Sequence, residues 1–400
     1  MIEVSEADKI IQQAILPLPA VPVPLMKAGG RVLRQNIVAD TDFPPFNRVM
    51  MDGIAVRFED VANGIREFQI AGIQAAGAEQ MQLQENGTCL EVMTGAVCPA
   101  NADLIIPYEE VEIDSADQKA KIGENDYVQG KNIHKQGSDN SKGDVLIEPG
   151  KVLGAPELAV AASVGLTEIQ VSKNPFVAII STGDELVDIG DKPLPHQIRR
   201  SNVYAIQAAL QGYGISSSMF HLNDEPKELE VELQKVLDHH DVVLMSGGVS
   251  KGKFDYVPET LAKLGVQKQF HRIQQKPGKP LWFGVREDRK VVFAFPGNPV
   301  STFLCFHRYF VPWLERSLGI RSQERQKAVL AEDFDIKTRL TYFLQVALEV
   351  DVKGQLLAHP KVGRGSGDHA NLIVSDAFLE LPANTFRFKQ GEVFDVIPFR

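Results

Sequence analysis

The sequence predicts a multidomain protein with a central parallel-sheet α/β domain, an inserted β-rich domain and a C-terminal β-barrel-like domain. The first reason is length, because 400 residues exceed the ~250–300 at which single hydrophobic cores stop growing. The second is that buried-strand runs alternate with helical patterns only in the middle of the chain, as in βαβ units. The third is that short apolar runs separated by turn residues fill the flanking regions, which is typical of β structure.

Residues 175–320 are predicted to form the α/β domain. Nearly continuous apolar runs predict strands of a sheet covered on both faces, at Phe176–Ile180, Asp241–Met245 and Val291–Phe295. A further strand is predicted over Ile215–Leu222. Helical patterns predict helices over Asn202–Leu210, Pro226–Asp238, Val257–Leu264 and Val300–Leu314.

Three further regions are predicted around this domain. Residues 1–26 form a helix and a proline-rich connector, and residues 141–174 rejoin them as an elongated linking domain with a helical stretch at Pro156–Val164. Residues 27–140 form the inserted β-rich domain, and residues 321–400 form the C-terminal β domain. The predicted strands of these two domains are Phe68–Ile73, Cys89–Met93, Leu104–Ile106 and Val111–Ile113, then Tyr342–Val350, Leu356–His359, Leu372–Val374, Ala377–Leu381 and Val393–Ile397.

The charge balance and the termini restrict the class of protein. A formal net charge of -10 argues against nonspecific binding of nucleic acid, which requires a basic surface. An anionic small ligand would have to be bound by local features such as helix N-termini, loop amides, lysines or a divalent cation. The cysteines form no CxxC pair, the N-terminus lacks a signal-peptide pattern, and no apolar run approaches the ~20 residues of a membrane span. We therefore expect a cytoplasmic protein that binds neither membranes nor nucleic acid.

The loops that follow the three apolar strands predict a phosphate-binding edge. They are Ser181–Glu185, Ser246–Ser250 and Pro296–Pro299, and a helical pattern follows each strand. Ligands of open α/β sheets bind outside the carboxyl ends of the strands, and glycine allows close approach of the backbone. The alternative is that these are only tight turns. The segment from Gly247 to Lys253 resembles a P-loop, but Phe254 stands where Ser or Thr would bind Mg²⁺, which disfavours an ordinary P-loop NTPase.

Two acidic residues belong to the same predicted edge. Glu185 ends the first loop, and Asp255 follows the second. Carboxylates beside phosphates would repel them, and Mg²⁺ resolves the conflict because it prefers carboxylate and phosphate oxygens. The alternative is that both are solvated loop acids, with Asp184 as a helix N-cap.

The segment Lys276-Pro277-Gly278-Lys279-Pro280 predicts an oxyanion site. Two prolines and a glycine define a short stiff loop that holds two ammonium groups close together. Because like charges repel, such a loop favours an anion between them. The alternative is a surface turn with solvated lysines.

Taken together, these segments resemble the molybdopterin molybdenumtransferase family, whose eukaryotic relative is the E domain of gephyrin. The resemblance runs along essentially the whole chain in one order. Its segments are Pro45–Ala55, Met93–Ala96, Asn132–Asp139, Ser181–Leu186, Ser201-Asn202, Ser246–Asp255, Lys276–Pro280, Pro296–Ser301 and Gly365–Gly367.

The resemblance implies an activity and an assembly. The substrate would be adenylylated molybdopterin, molybdate would supply the molybdenum, and AMP would leave in a Mg²⁺-dependent step that forms molybdenum cofactor. The family consists of elongated homodimers of four-domain subunits, with residues 1–26 and 141–174 in the linking and dimerisation domain. A molybdopterin adenylyltransferase is a candidate partner.

The resemblance also implies site residues. Glu185 and Asp255 would handle Mg²⁺ and the pyrophosphate, and Lys276 and Lys279 would act at the molybdate pocket. Asp52 would act with Thr94 and Asp139 across the dimer interface. The remaining substrate-binding residues would be Thr182, Gly183, Asp224, Ser246, Gly247, Gly248, Ser250, Pro280, Pro296, Gly297, Asn298 and Pro299, and, matching the molybdate pocket less closely, Arg339 and Ser366.

Three segments depart from the family pattern. Phe46-Asn47-Arg48-Val49 stands where Phe-Asp-Asn-Ser is usual, Arg199-Arg200 stands where Tyr-Asp is common, and Lys253 replaces a frequent acid. Each departure adds positive charge near the predicted site. Two other functions stay open: the preceding adenylyltransferase step, disfavoured by the extra domains and the lysine loop, and a binding scaffold of the gephyrin kind, disfavoured by the acids and lysines.

Overall fold

The computed structural model describes residues 1–223, 225–249, 256–321 and 324–400, and the chain divides into two compact units. The larger unit contains Met1–Gln35, Pro149–Ala155 and Glu168–Arg400. The smaller unit contains Asn36–Glu148 and Pro156–Thr167. None of the described helices is both long enough and apolar enough to cross a bilayer. The boundaries of the four predicted domains stay predictions.

The chain begins with helix α1 (Val4–Gln13) and strand β1 (Ala20–Pro24). Val4, Ala7 and Ile11 are buried on one face of α1, as helical spacing requires. The predicted connector Pro17–Pro24 was only partly right. Its second half is a strand that pairs antiparallel with Glu168–Ser172, which ties the N-terminus to a distant part of the chain.

The smaller unit is β-rich, as predicted. Six of its strands form one sheet in the order β7-β4-β6-β5-β9-β8, over a core that includes Ile54, Phe68 and Ile106. Its described elements are β2 (Ile37–Val38), β3 (Arg48–Val49), β4 (Gly53–Val56), α2 (Phe58–Ala62), β5 (Glu67–Gln74), β6 (Thr88–Val92), β7 (Leu104–Pro107), β8 (Val111–Asp114), β9 (Lys119–Ile122), β10 (Ile133–His134), β11 (Val145–Ile147) and α3 (Ala155–Ser163).

The α/β part of the larger unit is built on one six-stranded sheet in the order β16-β13-β17-β21-β20-β18. Its described elements, with short strands nearby, are β12 (Glu168–Ser172), β13 (Val177–Thr182), β14 (Leu186–Val187), β15 (Ile198–Arg199), α4 (Asn202–Gly212), β16 (Ser217–Leu222), α5 (Pro226–His239), β17 (Val242–Ser246), α6 (Val257–Lys263), β18 (Val266–His271), β19 (Gln275–Lys276), β20 (Trp282–Arg286), β21 (Val291–Phe295), α7 (Pro299–Cys305) and α8 (Val311–Leu318). A π-helical turn, Phe306–Phe310, joins the last two helices.

The first four strands of this sheet are parallel and carry apolar residues on both faces. Val177 and Ile179 of β13 face one core, whereas Ala178 and Ile180 face the other. This alternation confirms the prediction of a sheet covered on both sides. The sequence did not predict the antiparallel pair β18 and β20, which makes the sheet mixed.

The C-terminal part of the larger unit is a small barrel. Strands β24, β25, β22, β28 and β26 pair in succession, and β26 pairs again with β24 to close the ring. Its described strands are β22 (Lys327–Leu330), β23 (Phe334–Asp335), β24 (Thr341–Val350), β25 (Leu356–Pro360), β26 (Ala377–Leu381), β27 (Arg387–Phe388) and β28 (Val393–Pro398). The strand predicted at Leu372–Val374 was wrong, because these residues belong to a 3₁₀ helix, His369–Val374.

A buried arginine links α1, the π-helical turn and the barrel. The guanidinium of Arg308, 2% exposed, donates to Asp8 at 2.7 and 2.8 Å and to Glu380 at 2.9 Å. Nearby, the indole of Trp313 donates to the carbonyl of Ala14 at 2.8 Å. These bonds connect residues about three hundred positions apart in the chain, so the N-terminus completes the α/β core.

Candidate functional site

The carboxyl ends of three neighbouring strands lie at one edge of the α/β sheet. Ser181 of β13 lies opposite Ser246 of β17, and Ser246 lies opposite Phe295 of β21. Because these strands are parallel and in this register, the three predicted loops begin side by side. Ser181–Glu185, the described part of Ser246–Ser250, and Pro296–Pro299 therefore share one edge.

The glycines of these loops allow close contact between loop backbones. Gly247 has φ +102°, and a Cβ there would lie 2.7 Å from the carbonyl oxygen of Thr182. Gly248 has φ +69°, and a Cβ there would lie 2.8 Å from Thr182 Oγ1. The Thr182 hydroxyl is buried and has no hydrogen-bond partner among the described residues. Larger residues at 247 and 248 would push the loops apart.

Asn202, the first residue of α4, contacts two of the loops. Its Nδ2 donates to Ser246 Oγ at 2.8 Å and to the carbonyl of Gly297 at 2.8 Å, and lies 3.2 Å from Thr302 Oγ1. The sequence had placed Asn202 in a family motif without giving it a role. Since it contacts both the middle and the last loop, we assign it to positioning them.

A cavity of about 940 Å³, here called the strand-end cavity, opens at this edge. Eleven of the predicted site residues line it: Thr182, Gly183, Glu185, Ser246, Gly247, Gly248, Pro280, Pro296, Gly297, Asn298 and Pro299. Asp224, Ser250 and Asp255 lie outside the described residues. The cavity has room for a nucleotide-sized ligand.

The strand-end cavity has few charged side chains among the described residues that line it. Glu185 lies against Gly183, since a Cβ at Gly183 would be 2.5 Å from its carboxylate oxygen. Among the described residues of the lining, Arg199 and Arg200 are the two with a lysine or arginine side chain. Together they form one of the segments that depart from the family pattern. Arg200 is held by Asp188 at 2.7 Å. Of the three departures that add positive charge, Arg199-Arg200 thus faces this cavity, Arg48 is not in its lining, and Lys253 lies outside the described residues.

The lysine loop borders a second cavity of about 530 Å³, here called the lysine cavity. Lys276 and Lys279 line it and are exposed. Strand β19, at the start of the loop, is fixed because Gln275 and Lys276 pair in parallel with Thr341 and Tyr342 of the barrel. The two predicted lysines therefore lie where the α/β part meets the barrel.

Buried groups beneath the loop set its shape. Gln275 is buried, contacts Cys305 Sγ at 3.7 Å and accepts a hydrogen bond from the hydroxyl of Tyr309. Gly278 has φ +84°, and a Cβ there would lie 2.6 Å from Gln275 Nε2 and 2.7 Å from Cys305 Sγ. The glycine between the lysines is thus required by the close approach of the core.

The lysine cavity also receives residues that the sequence did not assign. Lys361 and Arg364 line it beside Ser366, whereas no Asp or Glu is among the described residues of its lining. Arg339 is exposed and does not belong to that lining. The sequence contained a signal for them, because Arg364 directly precedes the Gly365-Ser366-Gly367 motif and Lys361 lies three residues further back.

The two cavities adjoin. Pro280, Pro296 and Asn298 line both of them. Asn298 Nδ2 donates to Ser366 Oγ at 2.9 Å, and the amide of Val300 donates to the Ser366 carbonyl at 3.0 Å. The barrel loop is therefore bonded to the last strand-end loop, and an extended ligand could occupy both cavities.

In the smaller unit, Asp52 and Thr94 form one cluster. Asp52 Oδ1 accepts from the backbone amide of Thr94 at 2.6 Å and from its hydroxyl at 2.8 Å. These hydrogen bonds lower the pKa of the Asp52 carboxyl, because they favour its charged form. Gly53 adjoins it, and a Cβ there would lie 2.0 Å from the carbonyl oxygen of Ile106.

Asp139 belongs to a second cluster of the same unit. His134 Nε2 lies 2.9 Å from Asp139 Oδ1, and His134 Nδ1 lies 3.0 Å from a guanidinium nitrogen of Arg48. His134 has no predicted role, and Arg48 enters the predictions only as a departure from the family pattern. Because a guanidinium can only donate, the imidazole accepts from Arg48 and can donate to Asp139 when it is neutral.

The described residues contain no group of three or more His, Cys, Asp or Glu side chains arranged to hold a metal ion. Glu185 at the strand-end cavity is thus a single carboxylate in the part of the site that the structure describes. A Mg²⁺ ion bound there would need further oxygen ligands from the substrate phosphates, water or residues beyond this part.

Three family profiles match successive parts of the chain. The MoeA N-terminal region (domain I and II) matches residues 2–165, the probable molybdopterin binding domain matches 178–316, and the MoeA C-terminal region (domain IV) matches 327–399. A solved molybdopterin biosynthesis MoeA protein from Pyrococcus horikosii has a TM-score of 0.84 at 31% identity, covering 100% of this chain and 99% of that one. Another, from Pyrococcus horikoshii OT3, has a TM-score of 0.85 at 27% identity and covers 100% of both chains. The α/β-plus-β fold class is thereby confirmed.

Curated relatives cover nearly the whole length. Molybdopterin molybdenumtransferase from Synechocystis is 42% identical over 397 residues, which is 98% of this chain and 99% of the relative. The enzyme of the same name from Staphylococcus epidermidis is 31% identical over 404 aligned positions, covering 99% of this chain and 95% of the relative. The chain belongs to the molybdopterin molybdenumtransferase family.

Proposed function

We propose that this chain inserts molybdenum from molybdate into adenylylated molybdopterin, releases AMP and so forms molybdenum cofactor. The observation that carries the proposal is the pair of adjoining cavities. One is built from strand-end loops, and the other is lined by cations without a described carboxylate. A ligand with a nucleotide at one end and a metal-binding pterin at the other could span them.

We assign the phosphates of the pterin substrate to the strand-end cavity and molybdate to the lysine cavity. The loops around Thr182, Gly247 and Gly297 suit the adenylyl and pterin phosphates, because glycines allow a phosphate to approach backbone amides. Arg199 and Arg200 would add charge there. Lys276 and Lys279 suit molybdate, a tetrahedral dianion that accepts charge-assisted hydrogen bonds.

We propose that Mg²⁺ takes part at the strand-end cavity. Glu185 lines that cavity, and one carboxylate together with phosphate oxygens is a donor set that Mg²⁺ accepts. Asp255 is its proposed second carboxylate, and Asp224 a further acid of the cavity. The ion would supply electrostatic stabilisation of phosphate charge during cleavage. Glu185 would position it, and Asn202 would hold the loops in place.

We further propose that the enzyme is a homodimer and that Asp52, Thr94 and Asp139 act from the second subunit. Their support is that they form ordered, exposed polar clusters in the smaller unit. Light scattering gives the mass of the particle directly. Mixing an Asp52→Asn chain with a Lys279→Ala chain should restore part of the activity, because one mixed-dimer site keeps both residues; no restoration would contradict shared sites.

A molybdopterin adenylyltransferase is the proposed donor of the substrate.

The test of the activity is release of AMP by purified protein. With adenylylated molybdopterin, molybdate and Mg²⁺, we expect AMP and a product that activates a cofactor-free molybdoenzyme. No AMP under these conditions would reject the function. Consumption of ATP with molybdopterin would instead indicate the adenylyltransferase step.

Glu185→Gln tests the metal proposal. The substitution keeps the size of the side chain and removes its charge, so we expect AMP release to fall about 10- to 100-fold and the Mg²⁺ requirement to rise. Glu232→Gln, at a half-exposed residue of α5 outside the lining of both cavities, is the matched control. An unchanged Mg²⁺ requirement in Glu185→Gln would contradict the assignment.

A further inference from the structure

The lysine cavity has an unusual charge for this chain. Lys276, Lys279, Lys361 and Arg364 line it, and no Asp or Glu is among the described residues of its lining. The chain as a whole carries a formal net charge of -10. Four cations around one space repel each other unless an anion enters. The cavity therefore selects for an anion over its whole lining, beyond the two lysines of the loop.

Arg339, which the family resemblance assigns to this pocket, is not in that lining. It is exposed, and its carbonyl accepts from the amide of Asn384. Lys361, in contrast, is half-buried and lines the cavity. Arg364 is more exposed than Lys361, and its backbone amide donates to Asp368 at 3.0 Å. Of these three cations, Lys361 is the one that is both in the cavity and partly removed from water.

The backbone of Lys361 is held in place. Its amide donates to the carbonyl of Gln345 at 2.8 Å, and its carbonyl accepts from Asn371 Nδ2 at 2.7 Å. The same Asn371 nitrogen lies 3.2 Å from Gln345 Oε1. At Gly363, a Cβ would lie 3.2 Å from Asn371. A backbone fixed in this way reduces the ordering that Lys361 would require on binding an anion.

We infer that Lys361 is a molybdate-binding residue of this chain and takes the place that the family resemblance gives to Arg339. The inference rests on the proposed function for the identity of the anion. Lys276 and Lys279 contact the oxyanion from the α/β part, and Lys361 contacts it from the barrel. Asn371 is a positioning residue, because it holds the lysine through the backbone.

The test is calorimetric titration with molybdate alone, without pterin. We expect Lys361→Ala to weaken molybdate binding about 10- to 100-fold, since a lost charge-assisted hydrogen bond has an effect of this size. Lys361→Arg should restore part of the affinity. Lys353→Ala removes an exposed lysine of the same barrel from outside both cavities and should leave binding unchanged. Thermal unfolding of each variant shows whether it is folded.

Arg339→Ala decides between the two cations. A larger loss of molybdate binding in Arg339→Ala than in Lys361→Ala would overturn the inference, and so would unchanged binding in a folded Lys361→Ala variant. The proposed function is read separately, from AMP release by the unsubstituted protein. Molybdate binding without AMP release would reject the function and leave the Lys361 assignment standing.

Discussion

The strand-end cavity and the lysine cavity adjoin, yet they are built by different means. The strand-end cavity depends on backbone: Gly247 and Gly248, both at positive φ, bring two loops against Thr182. The lysine cavity depends on side-chain charge, because Lys276, Lys279, Lys361 and Arg364 line it without a described carboxylate. The first should therefore be sensitive to added atoms, and the second to lost charges.

The largest effect expected from this comparison is that of Lys279→Ala. At saturating pterin, the half-saturating molybdate concentration should rise about 10- to 100-fold, because one charge-assisted contact to the dianion is lost. AMP binding in the neighbouring cavity should change much less. Molybdate titration of AMP release and calorimetry with AMP measure the two effects. An unaltered molybdate requirement would indicate that the loop is a solvated surface turn.

Gly247→Ala should have the opposite effect to Lys279→Ala: it should weaken AMP binding more than molybdate binding. The new Cβ would lie 2.7 Å from the Thr182 carbonyl oxygen at a φ of +102°, and such strain amounts to about 1–3 kcal/mol. We expect AMP binding to weaken by up to roughly 150-fold, the factor that corresponds to the upper end of this range, and the melting temperature to fall. Gly212→Ala, at the end of α4 with nothing near its Cβ position, is the matched control. Equal AMP affinity in both variants would show that the loop contact does not shape the cavity.

Raising the ionic strength should also distinguish the two cavities, but with a smaller effect on ligand affinity than either substitution. In described side chains, the lysine cavity has four cations and no carboxylate, whereas the strand-end cavity has Arg199 and Arg200 beside Glu185. Raising the ionic strength from 0.05 to about 0.5 M shortens the screening length to a few ångström. Molybdate affinity should then fall several-fold, and AMP affinity by a smaller factor. Equal slopes in calorimetry would contradict the contrast in charge.

Much of the fold could be predicted from local pattern. Apolar runs predicted β13, β17 and β21, and because these runs are nearly continuous they indicated a sheet buried on both faces. The pair β18 and β20 was missed because polar residues interrupt β18, whose Gln267, Lys268 and Gln269 are exposed. Leu372–Val374 looked like a strand since three apolar residues alone do not distinguish a strand from a 3₁₀ turn.

The site was predictable where one motif contained the chemistry. The strand-end glycines and the lysine loop are contiguous in sequence, and the structure places them together. Lys361 and the pairing of His134 with Arg48 were not predicted, because each depends on strands brought together by tertiary contacts. The role of Asn202 likewise became clear only from the loops it reaches.

The buried guanidinium of Arg308 has a consequence for protein engineering. A recombinant fragment covering only residues 178–316 would contain Arg308 and Trp313 but neither Asp8, Ala14 nor Glu380, to which they donate. The fragment would also lose α1 and the barrel, whose Ile11 and Phe378 belong to the same core as Phe310 and Trp313, so apolar surface of the α/β part would be exposed to water. The α/β part is therefore not a portable module. Chimaeras between relatives should exchange it together with the N-terminal helix and the barrel.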